Sequence, residues 1–327
     1  MLEKNDYNVP LVYGNCWEKE IVDDCKKKKK LLRVAMAIPG GESGKECNMR
    51  CIFCFTECGT RNSKLKNINN ETVLKFVDEV QDYVYDRDMM NYYFVSEGEP
   101  TLNKNLTDVL KKVSSYGGTM TIFSNLYELT DKQIKDFKEI KNLFVCGKLY
   151  GFKPETNDYL TNTPGSYKKM MENIDKLIDA GLAEEGRLGV QCVVTSKNYD
   201  EVFDIFKWAR EKNIAPHIML YREQGLGSRF PELTISHESL LELFKKCSEY
   251  DQQNNINWKA KLPLLVIGDC SVPGVNLYLT TNGDVHVCAG DTRKYGNYFE
   301  NTVEEMMNSE LYETVIKEYK KCPWVNI

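Results

Sequence analysis

The chain has 327 residues, enough to bury the core of one large α/β domain with a small extension. With 42% hydrophobic and 28% charged residues it is an ordinary globular chain, and its net charge of −5 gives no general attraction to nucleic acid. No apolar stretch approaches the length of a membrane helix and the start lacks a signal-peptide core, so we expect a cytoplasmic protein without membrane contact. Twelve cysteines without a secretion signal indicate metal ligation in a reducing compartment rather than disulfides.

The first 30 residues are polar and mixed, and they are too short for an added globular domain. We predict an N-terminal extension over residues 1–30, in which the basic run from Lys26 to Lys30 is a solvated turn or helix end. Residues 31–38 are predicted to form a buried strand, because an apolar run there is ended by Pro39-Gly40-Gly41.

A cysteine-rich loop follows this strand directly. Cys47, Cys51 and Cys54 have the spacing C-x3-C-x2-C. Three thiolates can hold a [4Fe–4S] cluster and leave one iron without a protein ligand, and thiolates suit iron–sulfur clusters and zinc. Ferredoxins use other spacings, and structural zinc sites usually have paired C-x2-C units or Cys/His mixtures, whereas this chain has only three histidines. A zinc site and unligated thiols are the alternatives.

The spacing resembles the signature of the radical S-adenosylmethionine (SAM) superfamily. That resemblance implies a SAM-binding [4Fe–4S] cluster held by Cys47, Cys51 and Cys54. It gives no ligand role to Cys58, which we interpret as a nearby free thiol.

Strands and helices alternate along the next two hundred residues. A helix is predicted over residues 70–86, with Val73, Phe76, Val77, Val80 and Val84 on one face. Further strands are predicted at 92–95, 120–123, 143–150, 188–194 and 217–221, and further helices at about 103–115, 130–139, 166–181, 199–212 and 238–249. This alternation predicts a parallel sheet with right-handed crossovers, and its six strands fit the partial (β/α)6 barrel of the superfamily. The chemistry of such barrels gathers at the carboxyl ends of the strands.

Polar motifs follow the second, third and fourth strands. Ser96-Glu97-Gly98-Glu99-Pro100 resembles the Gly-Gly-Glu-Pro motif of the superfamily, with Glu97 in place of the first glycine. The resemblance implies that Glu99 accepts a hydrogen bond from the α-amino group of SAM and that Gly98 permits close backbone approach. The SAM-binding residues predicted in this way are Gly98, Glu99, Pro100, Ser124, Asn125 and Lys148. A turn cap remains an alternative role for Ser124 and Asn125, and a structural lysine remains one for Lys148.

A second cysteine set lies near the C-terminus. Cys270 and Cys288 flank a predicted hairpin around Asn282-Gly283, and Cys322 follows a predicted helix at about 302–320. This layout resembles the SPASM/twitch extensions of radical SAM enzymes and implies an auxiliary [4Fe–4S] cluster on these three cysteines, with zinc or free thiols as alternatives. A fourth ligand is missing from the pattern, so either Cys16 or Cys25 completes the site or one iron stays open.

The remaining candidates concern the substrate. Cys146 and Cys192 lie on predicted strands and, if they face the cavity, can return a hydrogen atom to a substrate radical, although free cysteines, including Cys247, are commonly structural. His217 and Arg222, on and after the sixth strand, are candidate substrate contacts.

Together these features predict three parts: an extension (1–30), a radical SAM partial barrel (31–255) and a small α+β extension, hairpin plus helix, that binds the auxiliary cluster (256–327). We expect an enzyme that cleaves SAM reductively and abstracts hydrogen from a C–H bond. Its expected substrate is a polar small molecule, of the sugar or aminocyclitol type, that is oxidised or epimerised. Modification of a ribosomally made peptide is the alternative, and a non-catalytic iron–sulfur or zinc module is the alternative of another class. The expected partner is an electron donor such as flavodoxin or ferredoxin.

Overall fold

The computed structural model describes residues 17, 19–39, 46–56, 67–95, 97–256 and 272–318. Within these ranges the helices are α1 (Lys19–Lys27), α2 (Asn70–Val80), α3 (Leu106–Ser114), α4 (Asp131–Glu139), α5 (Pro154–Thr161), α6 (Ser166–Asp179), α7 (Tyr199–Glu211), α8 (His237–Gln253), α9 (Val303–Met307) and α10 (Glu310–Lys317). The strands are β1 (Arg33–Met36), β2 (Asn91–Phe94), β3 (Thr119–Ser124), β4 (Leu143–Lys148), β5 (Leu188–Val194), β6 (Ala215–Leu220), β7 (Asn276–Leu279), β8 (Asp284–Cys288) and β9 (Asp291–Asn297).

All these strands belong to one nine-stranded sheet with the order β6-β5-β4-β3-β2-β1-β7-β8-β9. Strands β1 to β6 are parallel neighbours in chain order, which confirms the predicted α/β class and the parallel six-stranded core. Crossover helices connect these strands, as a parallel pairing requires. The carboxyl ends of the six strands therefore lie at one edge of the sheet, where the cysteine loop and the loop after β2 also lie.

The two faces of the sheet carry different side chains because alternate residues of a strand point to opposite sides. The helix-facing side is a large apolar core that includes Val34, Tyr92, Ile122 and Val145. The inner side has a smaller cluster, formed by Ala35, Tyr93, Phe123, Phe144, Cys146, Ala215 and Tyr278. Strand residues that alternate in step with this inner cluster therefore point into the barrel interior.

An arginine side chain, that of Arg187, stabilises the opposite end of the barrel. Arg187, which precedes β5, donates to the carbonyl oxygens of Phe137, Ile140 and Leu143 at 2.9–3.0 Å. It also donates to the Glu185 carboxylate, with Nη2 at 2.6 Å from Oε2. The bonds to carbonyl groups lie at the end of helix α4 and the start of β4, so polar contacts hold the base of the barrel.

The C-terminal strands continue the barrel sheet. Strand β7 pairs in parallel with β1, with Arg33 opposite Asn276, and β8 and β9 follow as antiparallel neighbours. The predicted hairpin is present, but it is part of the nine-stranded sheet rather than a separate appendage, and the third strand β9 was not predicted. The predicted helix at 302–320 is two helices, α9 and α10, with the break at Asn308 and Ser309. The domain boundaries at 30 and 255 stay predictions.

Candidate active site at the carboxyl ends of the strands

The cysteine loop over residues 46–56 contains no helix or strand and is held by other parts of the chain. Ile52 N–H donates to the carbonyl oxygen of Leu160 at 3.1 Å, at the end of α5. Leu226 N–H, in the loop after β6, donates to the carbonyl oxygen of Cys54 at 2.9 Å. Gly225, with φ +60°, lies so close that a Cβ atom there would be 2.7 Å from this same oxygen. The loop is thus fixed from two sides by segments that follow β4 and β6.

The three thiols of this loop affect one another electrostatically. Burial raises the pKa of the Cys51 thiol, and charge on Cys54 and Cys47 raises it further, whereas Lys148 lowers it. Burial also raises the pKa of Cys47, and the Glu99 carboxylate adds to that effect. A buried thiol of this kind becomes a thiolate when it binds a metal. The donor set is therefore three soft sulfur atoms, with the Lys148 ammonium group acting on them as a cation.

No group of three or more His, Cys, Asp or Glu side chains in the described ranges converges on a single metal ion. A four-iron cluster does not require such convergence, because each thiolate binds a different iron atom. Three thiolates in one loop are the donor set of such a cluster, so Cys47, Cys51 and Cys54 fit the expected [4Fe–4S] group.

Glu99 lies at the centre of the neighbouring loop and is fully buried. Its Oε1 atom accepts from Ser124 Oγ at 2.5 Å and from Thr101 Oγ1 at 2.8 Å, and its Oε2 atom accepts from the Asn125 N–H at 2.7 Å. A carboxylate oxygen can accept two bonds, so Oε2 keeps capacity for one more donor. A carboxylate held in this way is suited to pair with an ammonium group, which is the role that the sequence predicts for it with SAM.

Gly98 and Pro100 shape the same loop. A Cβ atom on Gly98 would lie 2.4 Å from the carbonyl oxygen of Glu46, immediately before Cys47. The Glu99 N–H donates to this oxygen at 2.7 Å. Pro100 begins the short 3₁₀ helix Pro100–Leu102, and Glu99 caps that helix through the Thr101 N–H. Glycine at 98 therefore lets the loop after β2 lie directly on the cysteine loop.

Ser124 and Asn125 lie at the end of β3, where they support their neighbours. The Ser124 hydroxyl donates to Glu99 and accepts from the Leu126 N–H at 2.9 Å, and the residue is fully buried. Asn125 Nδ2 donates to Asn48 Oδ1 at 2.8 Å and lies 3.9 Å from Cys47 Sγ. The Ser124 hydroxyl thus orients Glu99, and Asn125 connects β3 with the cysteine loop. Contact of either with SAM stays a prediction.

Lys148 is the cationic group at the end of β4. Burial alone would lower the pKa of its ammonium group, but the Glu99 carboxylate and the thiols of the cysteine loop outweigh that effect and raise the pKa. The lysine therefore keeps its charge at neutral pH. It can offset the negative charge of cluster thiolates or pair with a carboxylate, which suits its predicted place in the SAM site.

Cys146 and Cys192 differ in the side of the sheet that they face. Cys146 belongs to the inner cluster, whereas Cys192 packs among the apolar side chains of the helix-facing core. Cys192 Sγ lies 3.7 Å from Asn198 Nδ2 on that outer side. This position does not support Cys192 as a hydrogen donor to substrate. For Cys146 the role stays a prediction, and Cys247 packs in the helix-facing core as a structural thiol.

His217 and Arg222 are the candidate substrate contacts near β6. Burial lowers the pKa of His217 to about 3, so its imidazole is neutral at physiological pH, and its ring centroid lies 5.7 Å from that of Phe123. The Arg222 guanidinium lies 5.9 Å from the centre of the Phe55 ring, next to Cys54. The histidine is thus uncharged and the arginine cationic, and contact of either with a substrate stays a prediction.

The second cysteine set falls only partly within the described residues. Cys288 is the last residue of β8, and its Sγ accepts from the Gly290 N–H at 3.3 Å. Burial raises the pKa of its thiol, whereas that bond and the charges of Arg222 and Arg33 lower it. Cys16, Cys58, Cys270 and Cys322 lie outside the described residues.

Cys25 was one candidate for the missing ligand of the second set. It is fully buried in α1 and its thiol lies 2.9 Å from the carbonyl oxygen of Lys30, to which it donates. It packs with Val22, Leu32 and Val275, and burial raises its pKa to about 12. Its surroundings are those of a structural thiol, and a ligand role stays a prediction.

Comparison with known protein families finds two matches in this chain. The family model described as Radical SAM superfamily matches residues 42–209, just over half of the chain, and contains both the cysteine loop and the Glu99 loop. The chain belongs to the radical SAM superfamily. A second model, described as an iron–sulfur cluster-binding domain and named SPASM, matches residues 270–324 and spans Cys270, Cys288 and Cys322.

The similar proteins are distant. GTP 3′,8-cyclase of Aquifex aeolicus is 20% identical over 69% of this chain and 67% of its own length. Sporulation killing factor maturation protein SkfB of Bacillus subtilis is 20% identical over 84% of this chain and 66% of its own length. Fe-coproporphyrin III synthase of Methanosarcina barkeri is matched over only 46% of its own length. The chain thus spans about half to two thirds of the length of these relatives.

Solved structures show the fold. Streptococcus suis SuiB bound to the precursor peptide SuiA has a TM-score of 0.66 at 16% identity, over 93% of this chain and 71% of that one. The enzyme anSMEcpe with bound AdoMet has the same TM-score and identity, over 87% of this chain and 83% of that one.

The two family matches establish the cofactors of this radical SAM enzyme as SAM, a SAM-binding [4Fe–4S] cluster and an auxiliary [4Fe–4S] cluster. Among the described residues, no helix has the length and apolar composition needed to cross a membrane.

Two features of the site were not predicted from the sequence. Helix α5, whose last residues bind the cysteine loop, was missed although Pro154 at its first position is a helix-start signal. The contact of Gly225 with Cys54 was also missed, and the run Gly225-Leu226-Gly227 gave only a general turn signal.

Proposed function

We propose that this radical SAM enzyme modifies a peptide. The observation that carries the proposal is that relatives matched over more than four fifths of the chain are named for the maturation of peptides or proteins, whereas GTP 3′,8-cyclase is matched over 69%. They include SkfB, at 84% of this chain, and the serine-type anaerobic sulfatase-maturating enzyme of Bacteroides thetaiotaomicron, which is 23% identical over 86% of it. Mycofactocin maturase MftC of Mycolicibacterium smegmatis is matched over 56%. The sequence favoured a polar small molecule, and these relatives favour the peptide instead.

The sheet topology is compatible with a long substrate. Among the described residues, β6 and β9 are the edge strands of the sheet and do not pair with each other. An extended chain can enter a partial barrel from an open side, whereas a closed barrel offers only its mouth. A peptide entering beside β6 would meet His217 and Arg222.

The chain's own residues have separate tasks in this proposal. Glu99 pairs with the ammonium group of SAM, Lys148 holds a carboxylate or offsets cluster charge, and Arg222 attracts an anionic group of the peptide. SAM and the reduced first cluster supply, when bound, a 5′-deoxyadenosyl radical that removes hydrogen from a C–H bond. The apolar inner cluster around Phe123 and Tyr93 keeps water away from the strands beneath the site. Flavodoxin or ferredoxin remains the proposed electron donor.

The test uses the anaerobically reconstituted, reduced enzyme with SAM. The probes are short peptides encoded beside the gene for this chain, and the comparison set contains sugars, aminocyclitols and GTP. We expect one peptide to change in mass and to accelerate formation of 5′-deoxyadenosine, and a Cys51→Ala enzyme to do neither. A mass change in a small molecule alone, with every peptide unmodified, would contradict the proposal.

A further inference from the structure

Glu97 replaces the glycine that the superfamily motif has at the first position, and its side chain has a defined place in the structure. The residue is 3% exposed. Burying a carboxylate costs free energy unless donors surround it, so its partners must be specific. Its partners show which contacts this chain gains by having glutamate instead of glycine at position 97.

Two residues of the C-terminal segment, Tyr278 and Thr281, donate hydrogen bonds to the Glu97 carboxylate. Tyr278 Oη, in β7, donates to Oε1 at 3.0 Å. Thr281, in the turn between β7 and β8, donates to Oε2 from its N–H at 2.9 Å and from its hydroxyl at 2.7 Å. These residues lie 181 and 184 positions further along the chain. Bonds to a charged acceptor are stronger than neutral ones, so this is a firm connection.

The two residues after Glu97 connect in other directions. Gly98 lies against the Glu46 backbone of the cysteine loop, and the Glu99 carboxylate accepts from Ser124 and Asn125 at the end of β3. Glu99 has an extended backbone, with φ −117° and ψ 109°. Three consecutive residues thus bind the C-terminal strands, the cysteine loop and β3, and a shift of one must move the others.

We propose that Glu97 is a positioning residue that couples the SAM-binding loop to the strands carrying Cys288. A change in the bonds of Tyr278 and Thr281 to Glu97 alters the position of Glu99, and SAM bound at Glu99 in turn orders the turn between β7 and β8. Because coupling between two sites is reciprocal, both directions can be measured. The inference depends on the SAM site and is independent of the substrate.

The chain contains a matched control. Glu79, in α2, also accepts from a tyrosine hydroxyl and a backbone N–H of the C-terminal segment: Tyr298 Oη at 2.9 Å and Val303 N at 3.2 Å. It connects the same two parts of the chain away from the SAM loop. Loss of Glu79 therefore reports what a structural connection of this type contributes.

The experiment measures SAM affinity of the reconstituted holoenzyme by equilibrium binding for Glu97→Ala, Glu97→Gln, Tyr278→Phe and Glu79→Ala. We expect the SAM dissociation constant to rise about tenfold for Glu97→Ala and about threefold for Tyr278→Phe, from the loss of bonds to a charged group. Glu97→Gln keeps an acceptor and should stay close to the unaltered protein. Glu79→Ala should lower thermal stability without weakening SAM binding.

Hydrogen exchange gives the second readout. Adding SAM should slow exchange of the amides around Thr281 in the unaltered enzyme, and this effect should vanish in Tyr278→Phe, which keeps the carboxylate and is the variant of choice if Glu97→Ala does not fold. The proposal is overturned if Glu97→Ala and Tyr278→Phe bind SAM as the Glu79→Ala control does. It is also overturned if SAM leaves the Thr281 amides unchanged.

Discussion

The two cysteine regions of the chain are held in place by different means. Cys51 and Cys54 lie in a loop without regular structure, and its backbone bonds go to the loop after β2, to the end of α5 and to the loop after β6. Cys288 ends strand β8, which pairs with β7 on one side and β9 on the other. The loop with Cys51 and Cys54 depends on contacts from distant loops, whereas Cys288 belongs to a continuous sheet.

This difference has a consequence for metal binding. A loop with few bonds of its own gains order from its metal, because ligand binding and local folding are coupled. A strand in a ladder keeps its place without the metal. We therefore expect cluster loss to disturb the first region more than the second, and variants of the two regions should separate SAM cleavage from product formation.

The largest effect is expected from Cys51→Ala. The variant should lose the SAM-binding cluster, so that iron content falls from about eight to about four per chain, the number in one [4Fe–4S] cluster. Formation of 5′-deoxyadenosine should stop, because a cluster with two thiolate ligands does not persist. Cys247→Ala removes a buried thiol from α8 and should keep both clusters. Unchanged iron in Cys51→Ala would show that another residue holds the cluster.

Cys288→Ala tests the other region. If the auxiliary cluster serves the substrate or its electron, as we propose, the variant should retain the first cluster and much of its SAM cleavage while product formation is lost. Circular dichroism should show a folded protein, since the β8 ladder is formed by backbone bonds. If a folded Cys288→Ala enzyme forms product at the normal rate, the C-terminal strands have only a structural role.

The motifs of the first region can be found in the sequence because each of them is local. The spacing of Cys47, Cys51 and Cys54 and the Gly98-Glu99-Pro100 motif each lie within a few residues. The pairing of Arg33 in β1 with Asn276 in β7 depends on residues far apart in the chain, and no local pattern specifies it. Helix α5 was missed because it contains few apolar residues, of which Leu160 is one, and polar bonds hold it in place.

Glu97 shows the same limit within a motif. The sequence shows that Glu97 replaces the glycine of the superfamily motif. It does not show that Tyr278 and Thr281 are the partners of Glu97, because a buried carboxylate can pair with donors anywhere in the fold. Lys148 was predicted as a SAM-binding residue, with a structural lysine as the alternative, and only the structure gives the charges around it that keep it protonated.

Glu99→Ala should weaken SAM binding about a hundredfold, because about 3 kcal/mol is lost with the charge-assisted bond to the ammonium group. The change also leaves the buried Ser124 hydroxyl and Asn125 N–H without the acceptor that they have now. Both clusters should persist, since no cysteine is altered. Equilibrium binding of SAM and iron analysis check this, and unchanged affinity would contradict the assignment of Glu99.

Gly98→Ala tests the packing of the loop after β2 on the cysteine loop. The added Cβ would lie 2.4 Å from the Glu46 carbonyl oxygen, so the backbone must separate. Overpacking of this type costs about 2 kcal/mol; where the free loop relaxes and SAM binding must restore the close packing, SAM binding is about thirtyfold weaker. At Gly165, with φ +79°, an added Cβ has nothing within 4 Å. Gly165→Ala should therefore lower stability through strain and leave SAM affinity unchanged; equal losses of affinity in the two variants would argue against a specific contact.

The smallest effect concerns the base of the barrel, which needs no metal. The hydrogen bond from Lys138 lowers the pKa of Glu185 to about 2, against the opposing effect of burial and with further help from Arg187. An acid with a depressed folded-state pKa stabilises the fold above its unfolded pKa, near 4.5, and loses that contribution as the pH falls toward about 2. Because a third of the Glu185 side chain is exposed, Glu185→Gln should cost only about 1 kcal/mol at pH 7. Urea unfolding of the metal-free protein should show the same difference at pH 7 and pH 5.5 and a smaller one at pH 3.5. A difference that grows on acidification would mean that the carboxylate destabilises the base, and the contrast between a base held by ion pairs and a metal-dependent cysteine loop would not hold.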